Sequence, residues 1–169
     1  MRDFLDQIEA SLDSNLYYVA LFVSLAIPDI CGAIDSDNGQ ATMGKYVRWF
    51  DKYIAPRYRS LRGQVLTGED CYFFRCSMLH QGSSQHPGSS YSRVLFIEPG
   101  ATTTVAHRCV FMGALVIDVR IFCRDIISGA YEWLEEVEDS ERFKRNFSKF
   151  MRRYPQGLAP YVVGVPVIG

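Results

Sequence analysis

The chain has 169 residues, of which 48% are hydrophobic and 22% charged. This composition suits one globular domain and excludes a disordered tail. Eighteen basic and 19 acidic residues give a net charge of −1, which excludes a globally basic nucleic-acid binder and leaves only local basic patches. Five cysteines, an odd number, do not indicate a disulfide framework and favour a cytoplasmic protein with reduced thiols.

The N-terminal segment contains a long apolar run that is too short to span a membrane. The uncharged run from Ser14 to Pro28 has about 15 residues, whereas a bilayer span needs roughly 20. The acidic residues that precede it are unlike the basic start of a signal peptide. We therefore predict no membrane association and one long helix from Arg2 to about Ile27, which Pro28 ends or kinks.

Two further helices are predicted in the first half of the chain. The second runs from Gly44 to Ile54 and is closed by Pro56. The third begins after Thr67, whose hydroxyl is a suitable N-cap, and has acidic residues in its first turn. It extends to about Leu79 or His80 and stops near Gly82.

The middle of the chain, about residues 83–110, is predicted to be an insertion of loop and β-structure. It begins with a segment rich in Ser, Gly and Gln that is typical of an exposed loop. The apolar run Val94–Ile97 and the β-branched run Thr102–Val105 flank a Glu-Pro-Gly turn. This pattern predicts a small hairpin.

The C-terminal half returns to helical periodicity. A fourth helix is predicted from about Leu115, and a fifth from Ser140 to Tyr154, with an aromatic stripe on one face. The apolar tail, residues 155–169, is expected to pack on the core or on a partner. The fold class is therefore mainly α, a single domain over residues 1–169 in which about five helices form a bundle and one small β-hairpin is inserted between helices three and four.

Most catalytic signatures are absent from the sequence. There is no phosphate-binding glycine loop, no nucleophile elbow, no CxxC pair and no HExxH motif. The spacings of cysteine and histidine fit no common zinc site. We predict neither a metal nor a cofactor.

The most informative segment is the third predicted helix, which carries Arg75 among apolar side chains and His80 near its end. A buried guanidinium requires an acid, carbonyl groups or a phosphate as its partner. The two residues lie about 140° apart on a regular helix, so they can converge only where the helix ends or across a two-fold interface. A histidine can move a proton, and an arginine can stabilise charge on phosphorus.

Arg75 and His80, with four residues between them, resemble the Arg-x4-His motif of HEPN domains. That superfamily consists of small all-α bundles, many of them metal-independent ribonucleases of bacterial toxin and defence systems. The resemblance implies a homodimer in which the Arg and His of two protomers meet in one cleft and RNA is cleaved by its own 2′-hydroxyl. It also implies that Arg75 stabilises the transition state and that His80 transfers protons.

Other interpretations of the same residues stay open. Arg75 is equally suited to an ion pair with a core acid such as Asp29 or Asp118, and His80 to a helix cap. In that case the protein is a non-catalytic helical module that binds a protein partner through acidic or basic helix faces. A third alternative is nucleotide binding without cleavage. Cys76 stands directly after the arginine, where many active HEPN members carry a polar residue, often Asn.

Two sets of basic residues are candidate contacts for RNA. The first is a ridge along the last predicted helix, formed by Arg142, Arg145, Lys149 and Arg152. The second is Arg48 and Lys52 on the second predicted helix, interleaved with aromatic residues on which bases could stack. A solvated face of an amphipathic helix is the simpler alternative for the ridge.

Overall fold

The computed structural model describes residues 1–61, 63–100 and 105–169, and within them the fold is mainly α. These ranges contain six α-helices and a short 3₁₀ helix at Ala55–Tyr58. The α-helices are α1 (Arg2–Asp13), α2 (Tyr17–Ile34), α3 (Met43–Tyr53), α4 (Gly68–Gln81), α5 (Val119–Val137) and α6 (Glu141–Phe147).

The predicted single N-terminal helix is wrong, because it is two helices. The break falls between α1 and α2, where Asn15 has a φ of 57° in the left-handed region, a conformation that ends a regular helix. Pro28 lies inside α2, which continues to Ile34. A proline removes one helical hydrogen bond, but Pro28 and its neighbours Ile27 and Cys31 are buried against the rest of the domain, and this packing outweighs the loss.

Helix α2 is the central helix of the fold. It packs against α1, α3, α4 and α5. By length and composition alone it could cross a membrane, yet half of it is buried within the domain. This arrangement agrees with its interpretation as a core helix.

The predicted bounds of α3 and α4 are confirmed to within one or two residues. The Thr42 hydroxyl accepts a hydrogen bond from the Lys45 amide at 3.3 Å and caps α3. The Thr67 hydroxyl accepts one from the Asp70 amide at 3.1 Å and caps α4. Gly82 ends α4 with a φ of 63°, a conformation that a glycine adopts without strain.

A three-stranded sheet lies between α4 and α5, where the sequence predicts one hairpin. Its strands are β3 (Arg93–Ile97), β4 (Cys109–Phe111) and β5 (Ala114–Asp118), after a two-stranded ladder of β1 (Arg59–Ser60) and β2 (Gly63–Gln64). The order is β3-β5-β4, with β3 parallel and β4 antiparallel to β5. The strand predicted over Val94–Ile97 is therefore confirmed, but its partner is β5.

The hairpin that the structure describes is formed by β4 and β5. Its turn is Met112–Gly113, with φ values of 49° and 77°, which match the twist of the two strands. Of the strand predicted over Thr102–Val105, residues 102–104 lie outside the described residues, and Val105 is not in a strand. The helix predicted from about Leu115 starts four residues later, at Val119, because Ala114–Asp118 is a buried strand.

The last predicted helix is also wrong in its extent. Ser140 caps α6 as expected, through its hydroxyl and the Phe143 amide, but α6 ends at Phe147. The chain then folds back, so that the rings of Phe147 and Phe150 stack with centroids 5.3 Å apart. The tail forms two small ladders of β6 (Arg153–Tyr154) with β9 (Val167–Ile168) and β7 (Gly157–Leu158) with β8 (Val162–Val163).

All five cysteines are free thiols. Cys31, Cys71 and Cys123 are buried, as predicted, and burial raises the pKa of Cys71 and of Cys123 to about 12. Since the thiolate is the reactive form, we expect a thiol reagent to modify exposed Cys109 first and the three buried thiols only on unfolding. A titration under denaturing, non-reducing conditions should find five thiols, and a shortfall would contradict the absence of disulfides.

A pH dependence of stability is expected from His107. The Asp118 amide donates a hydrogen bond to His107 Nδ1 at 3.3 Å, and burial together with Arg108 lowers the pKa of His107. The unfolded chain therefore binds this proton more tightly than the folded protein does. The free energy of unfolding should be highest above about pH 6.5 and should fall as the pH drops below that value. Urea unfolding of wild type and His107→Gln at two pH values tests this, and equal pH slopes would contradict it.

Candidate active site

Arg75 of α4 is paired with an acid of the central helix. The distance from its Nη2 to Asp29 Oδ2 on α2 is 2.6 Å, and the two side chains are only 20% and 14% exposed. Of the two acids that the sequence offered, Asp29 is the partner, since Asp118 instead caps α5 through the Ile121 amide at 3.0 Å. The interaction ties α4 to α2 at the surface of the domain.

Arg75 and His80 meet within one chain, at the end of α4. Arg75 Nη1 lies 3.3 Å from His80 Nε2. An arginine has no acceptor atom, so Arg75 donates this hydrogen bond and His80 Nε2 accepts it with its lone pair. His80 is exposed and lies one residue before the last residue of the helix.

Burial and the charge of the partner have opposite effects on the pKa of Asp29 and on the pKa of Arg75. Burial raises the pKa of Asp29, and the charge of Arg75 partly offsets that effect. For Arg75 burial disfavours the charged form, but Asp29 and Cys76 outweigh it, so the pKa of Arg75 lies above its ordinary value. The guanidinium thus keeps its charge in a partly buried position, as a group that stabilises an anion requires.

Other polar and aromatic groups surround the guanidinium. The Tyr72 ring centroid lies 6.0 Å from Arg75 Cζ, and Cys76 Sγ is 3.9 Å from Arg75 Nη1. Deeper in the domain, the Tyr46 hydroxyl and Cys71 Sγ lie 3.3 Å apart, both buried. Burial raises the pKa of both groups well above their ordinary values, so this pair is neutral and supports the site without supplying a nucleophile.

An apolar surface of α2 lies on the same side of the helix as Asp29. Tyr18, Val19 and Phe22 are 78%, 50% and 38% exposed, and helical geometry places Tyr18, Phe22 and Asp29 within about 40° of one another. We call Tyr18, Val19 and Phe22 the α2 patch. Beside it, a crevice of about 270 Å³ opens between α2, α4 and β3. Contiguous exposed apolar side chains are a feature of interaction surfaces.

The predicted basic ridge is not formed. Arg142 pairs with Asp35 at 3.4 Å and with Asp37 at 3.3 Å, and Arg145 donates to the Asp37 carbonyl at 3.2 Å. Lys149 and Arg152 lie beyond the end of α6, so the four residues do not share one helical face. The early end of α6 is the physical reason for this correction.

The two predicted RNA contacts on α3, Arg48 and Lys52, differ in whether they form an ion pair. Lys52 forms an ion pair with Glu136 of α5. Arg48 is exposed and forms no ion pair within the described ranges. Both line a small crevice of about 150 Å³ with Trp49, which is itself 5% exposed and belongs to the core. Of these two residues, Arg48 is the one without an ion pair among the described residues.

Within residues 1–61, 63–100 and 105–169, no group of three His, Cys, Asp or Glu side chains is arranged to hold a metal ion. Comparisons with protein-family models, curated proteins and solved structures return no match.

The sequence motif indicated Arg75 and His80, and the ion pair adds Asp29 as the third member of the cluster. The signal for Asp29 was its position as an acid in an otherwise apolar stretch, directly after Pro28.

Proposed function

We propose that the protein is a cytoplasmic, metal-independent endoribonuclease of HEPN-like type, of the kind found in bacterial toxin and defence systems. The observation that carries the proposal is the 3.3 Å contact between Arg75 Nη1 and His80 Nε2 at the exposed end of α4. A charged guanidinium and a neutral imidazole side by side can bind a phosphate and accept a proton from the group next to it. Asp29 acts as a positioning residue for Arg75.

The proposed reaction is a phosphoryl transfer within the RNA strand, from the 5′-oxygen to the neighbouring 2′-oxygen. The 2′-hydroxyl attacks the neighbouring phosphorus and gives its proton to His80 Nε2, while the bond from phosphorus to the 5′-oxygen breaks. That oxygen takes a proton from the second histidine, in its imidazolium form, and the other product ends in a 2′,3′-cyclic phosphate. Arg75 donates hydrogen bonds to the phosphoryl oxygens, on which negative charge develops in the transition state.

The reaction needs a base and an acid, and this cluster holds one histidine. A homodimer supplies the second one. The α2 patch, which lies on the same side of α2 as Asp29, supports a two-fold interface there, because exposed apolar side chains of this kind are typical of an interface between subunits. On α3, Arg48 is the candidate for a contact with the RNA backbone, because Lys52 is paired with Glu136.

A non-catalytic interaction module is the second candidate. It is favoured by the 2.6 Å ion pair of Arg75 with Asp29 and by the low exposure of both side chains, since these are the features of an ion pair that joins α4 to α2. In that case the α2 patch would bind a different protein.

The proposal predicts cleavage of single-stranded RNA in the presence of excess chelator. Arg75→Lys should lower the rate by roughly 10²-fold or more, because an ammonium lacks the planar fork that holds a phosphate and a carboxylate at once. The assay follows a fluorescent RNA at equal concentrations of folded protein, with thermal unfolding as the check on stability. If Arg75→Lys cleaves as fast as wild type, the site is wrong; if wild type cleaves no RNA, the interaction module is favoured.

A further inference from the structure

A cavity separate from the two crevices described above lies at the N-terminal end of α1, away from the junction of α1 with α2. Its volume is about 550 Å³, within the range of about 300–1,000 Å³ of sites for small molecules. It is enclosed by α1, α5, α6 and the C-terminal strands. Its apolar walls are Phe4, Leu134, Phe143, Phe147, Phe150 and Ile168.

The walls are a continuous array of aromatic rings. The Phe143 and Phe147 rings stack at 4.9 Å, and the Phe150 ring then meets the Phe4 ring edge-on at 5.9 Å. These side chains present no hydrogen-bonding atom. The part of a ligand that lies against them must therefore be hydrocarbon.

The rest of the lining is polar or charged except for Met151, and it consists of Met1, Arg2, Asp3, Gln7, Glu138, Arg152 and Arg153. Arg152 Nε donates to the Tyr154 hydroxyl at 3.1 Å, and its terminal nitrogens have no acidic partner among the described residues. Arg153 is exposed and likewise unpaired there. Arg2 is already engaged by Glu138 at 2.8 Å. Two adjacent guanidinium groups that have no acidic partner among the described residues, beside a hydrocarbon wall, are complementary to an anionic head on an apolar tail.

We propose that this cavity binds a single-chain amphipathic carboxylate, with its alkyl chain against the phenylalanines and its carboxylate on Arg152 and Arg153. The cavity and its two arginines are separate from the cluster of Asp29, Arg75 and His80. Binding therefore does not depend on the proposed nuclease activity. The occupied cavity would fix the C-terminal strands against α1 and α6, because Ile168 of β9 forms part of its wall.

The test is isothermal titration calorimetry with decanoate below its micelle concentration. The expected result is saturable binding of one decanoate per chain, with decyltrimethylammonium and acetate failing to bind. Arg152→Gln/Arg153→Gln should weaken decanoate binding by roughly tenfold or more, through the loss of charged hydrogen bonds. Ile168→Glu, at a position that is 71% exposed, should weaken it too by placing a carboxylate in the lining of the cavity.

The matched control is Arg59→Gln/Arg93→Gln, which removes two exposed arginines without ion pairs elsewhere in the described structure and should leave the affinity unchanged. Thermal unfolding of each variant verifies the fold. The absence of saturable binding, equal affinity in the Arg152→Gln/Arg153→Gln variant, or equal binding of the cationic surfactant would each overturn the proposal.

Discussion

Replacement of His80 by alanine is expected to lower the rate of RNA cleavage by roughly 10² to 10⁴-fold, which is the usual contribution of a general acid or base. The imidazole is exposed, and its one described contact is with Arg75 at 3.3 Å. Its removal therefore takes away the proton acceptor without opening a cavity in the core. The measurement is the initial rate on single-stranded RNA in excess chelator, with thermal unfolding showing that the fold is intact.

His86→Ala is the matched control for this prediction. His86 lies in the loop after α4, where its ring stacks on Phe73 with centroids 4.5 Å apart and its Nδ1 accepts from the Gly88 amide. The same chemical change there leaves Arg75 and Asp29 untouched. Cleavage should continue at the wild-type rate in His86→Ala, and an equal loss in both variants would show that histidine removal acts through stability rather than chemistry.

A charge in the α2 patch is expected to abolish both assembly and cleavage. Phe22→Glu places a carboxylate in the centre of the proposed interface, where burial without a partner is costly. The wild type should be a dimer at micromolar concentration by light scattering, and the variant a monomer. Because one chain supplies a single histidine to the site, the monomer should lose at least as much activity as His80→Ala.

Phe111→Glu provides the comparison for that variant. Phe111 is 70% exposed on β4, which lies in the inserted sheet rather than on α2. The same substitution there should keep the dimer and the activity. A wild-type protein that is already a monomer, or a monomeric Phe22→Glu that cleaves at the wild-type rate, would contradict the composite site.

The sequence predicted the helices whose ends are marked by local chemistry. Thr67 and Gly82 delimit α4 because a hydroxyl cap and a left-handed glycine act within one turn of the chain. The sequence did not predict the elements whose conformation depends on tertiary packing. The run Ala114–Asp118 is too short for its periodicity to distinguish a buried strand from a helix, and its place between β3 and β4 settles the matter.

Two errors in the helices have a similar origin. Pro28 suggested the end of a helix, but the burial of its neighbours in α2 outweighs one lost hydrogen bond. The aromatic stripe after Ser140 suggested a helix to Tyr154, whereas stacking between Phe147 and Phe150 is achieved by a turn. The loss of that helix removed the predicted basic ridge with it.

In the candidate site, too, local sequence indicated some residues, whereas the contacts between them depend on tertiary packing. The spacing of Arg75 and His80 indicated both residues and required them to meet either at a helix end or across an interface. The structure has the first arrangement within one chain. The partner of Arg75 depended on how α2 crosses α4, which no local pattern reports, so the sequence could offer Asp29 only as one of two acids.

The most direct measurement is the cleavage of a DNA oligonucleotide that contains a single ribonucleotide, in excess chelator, with mass analysis of the ends. If the 2′-hydroxyl is the nucleophile and the cluster of Arg75 and His80 is the site, wild type should cut only after the ribonucleotide and leave a 2′,3′-cyclic phosphate, and a 2′-O-methyl group there should block the cut. Cleavage of the methylated strand, a product with a 5′-phosphate, or no cleavage at all would contradict the account.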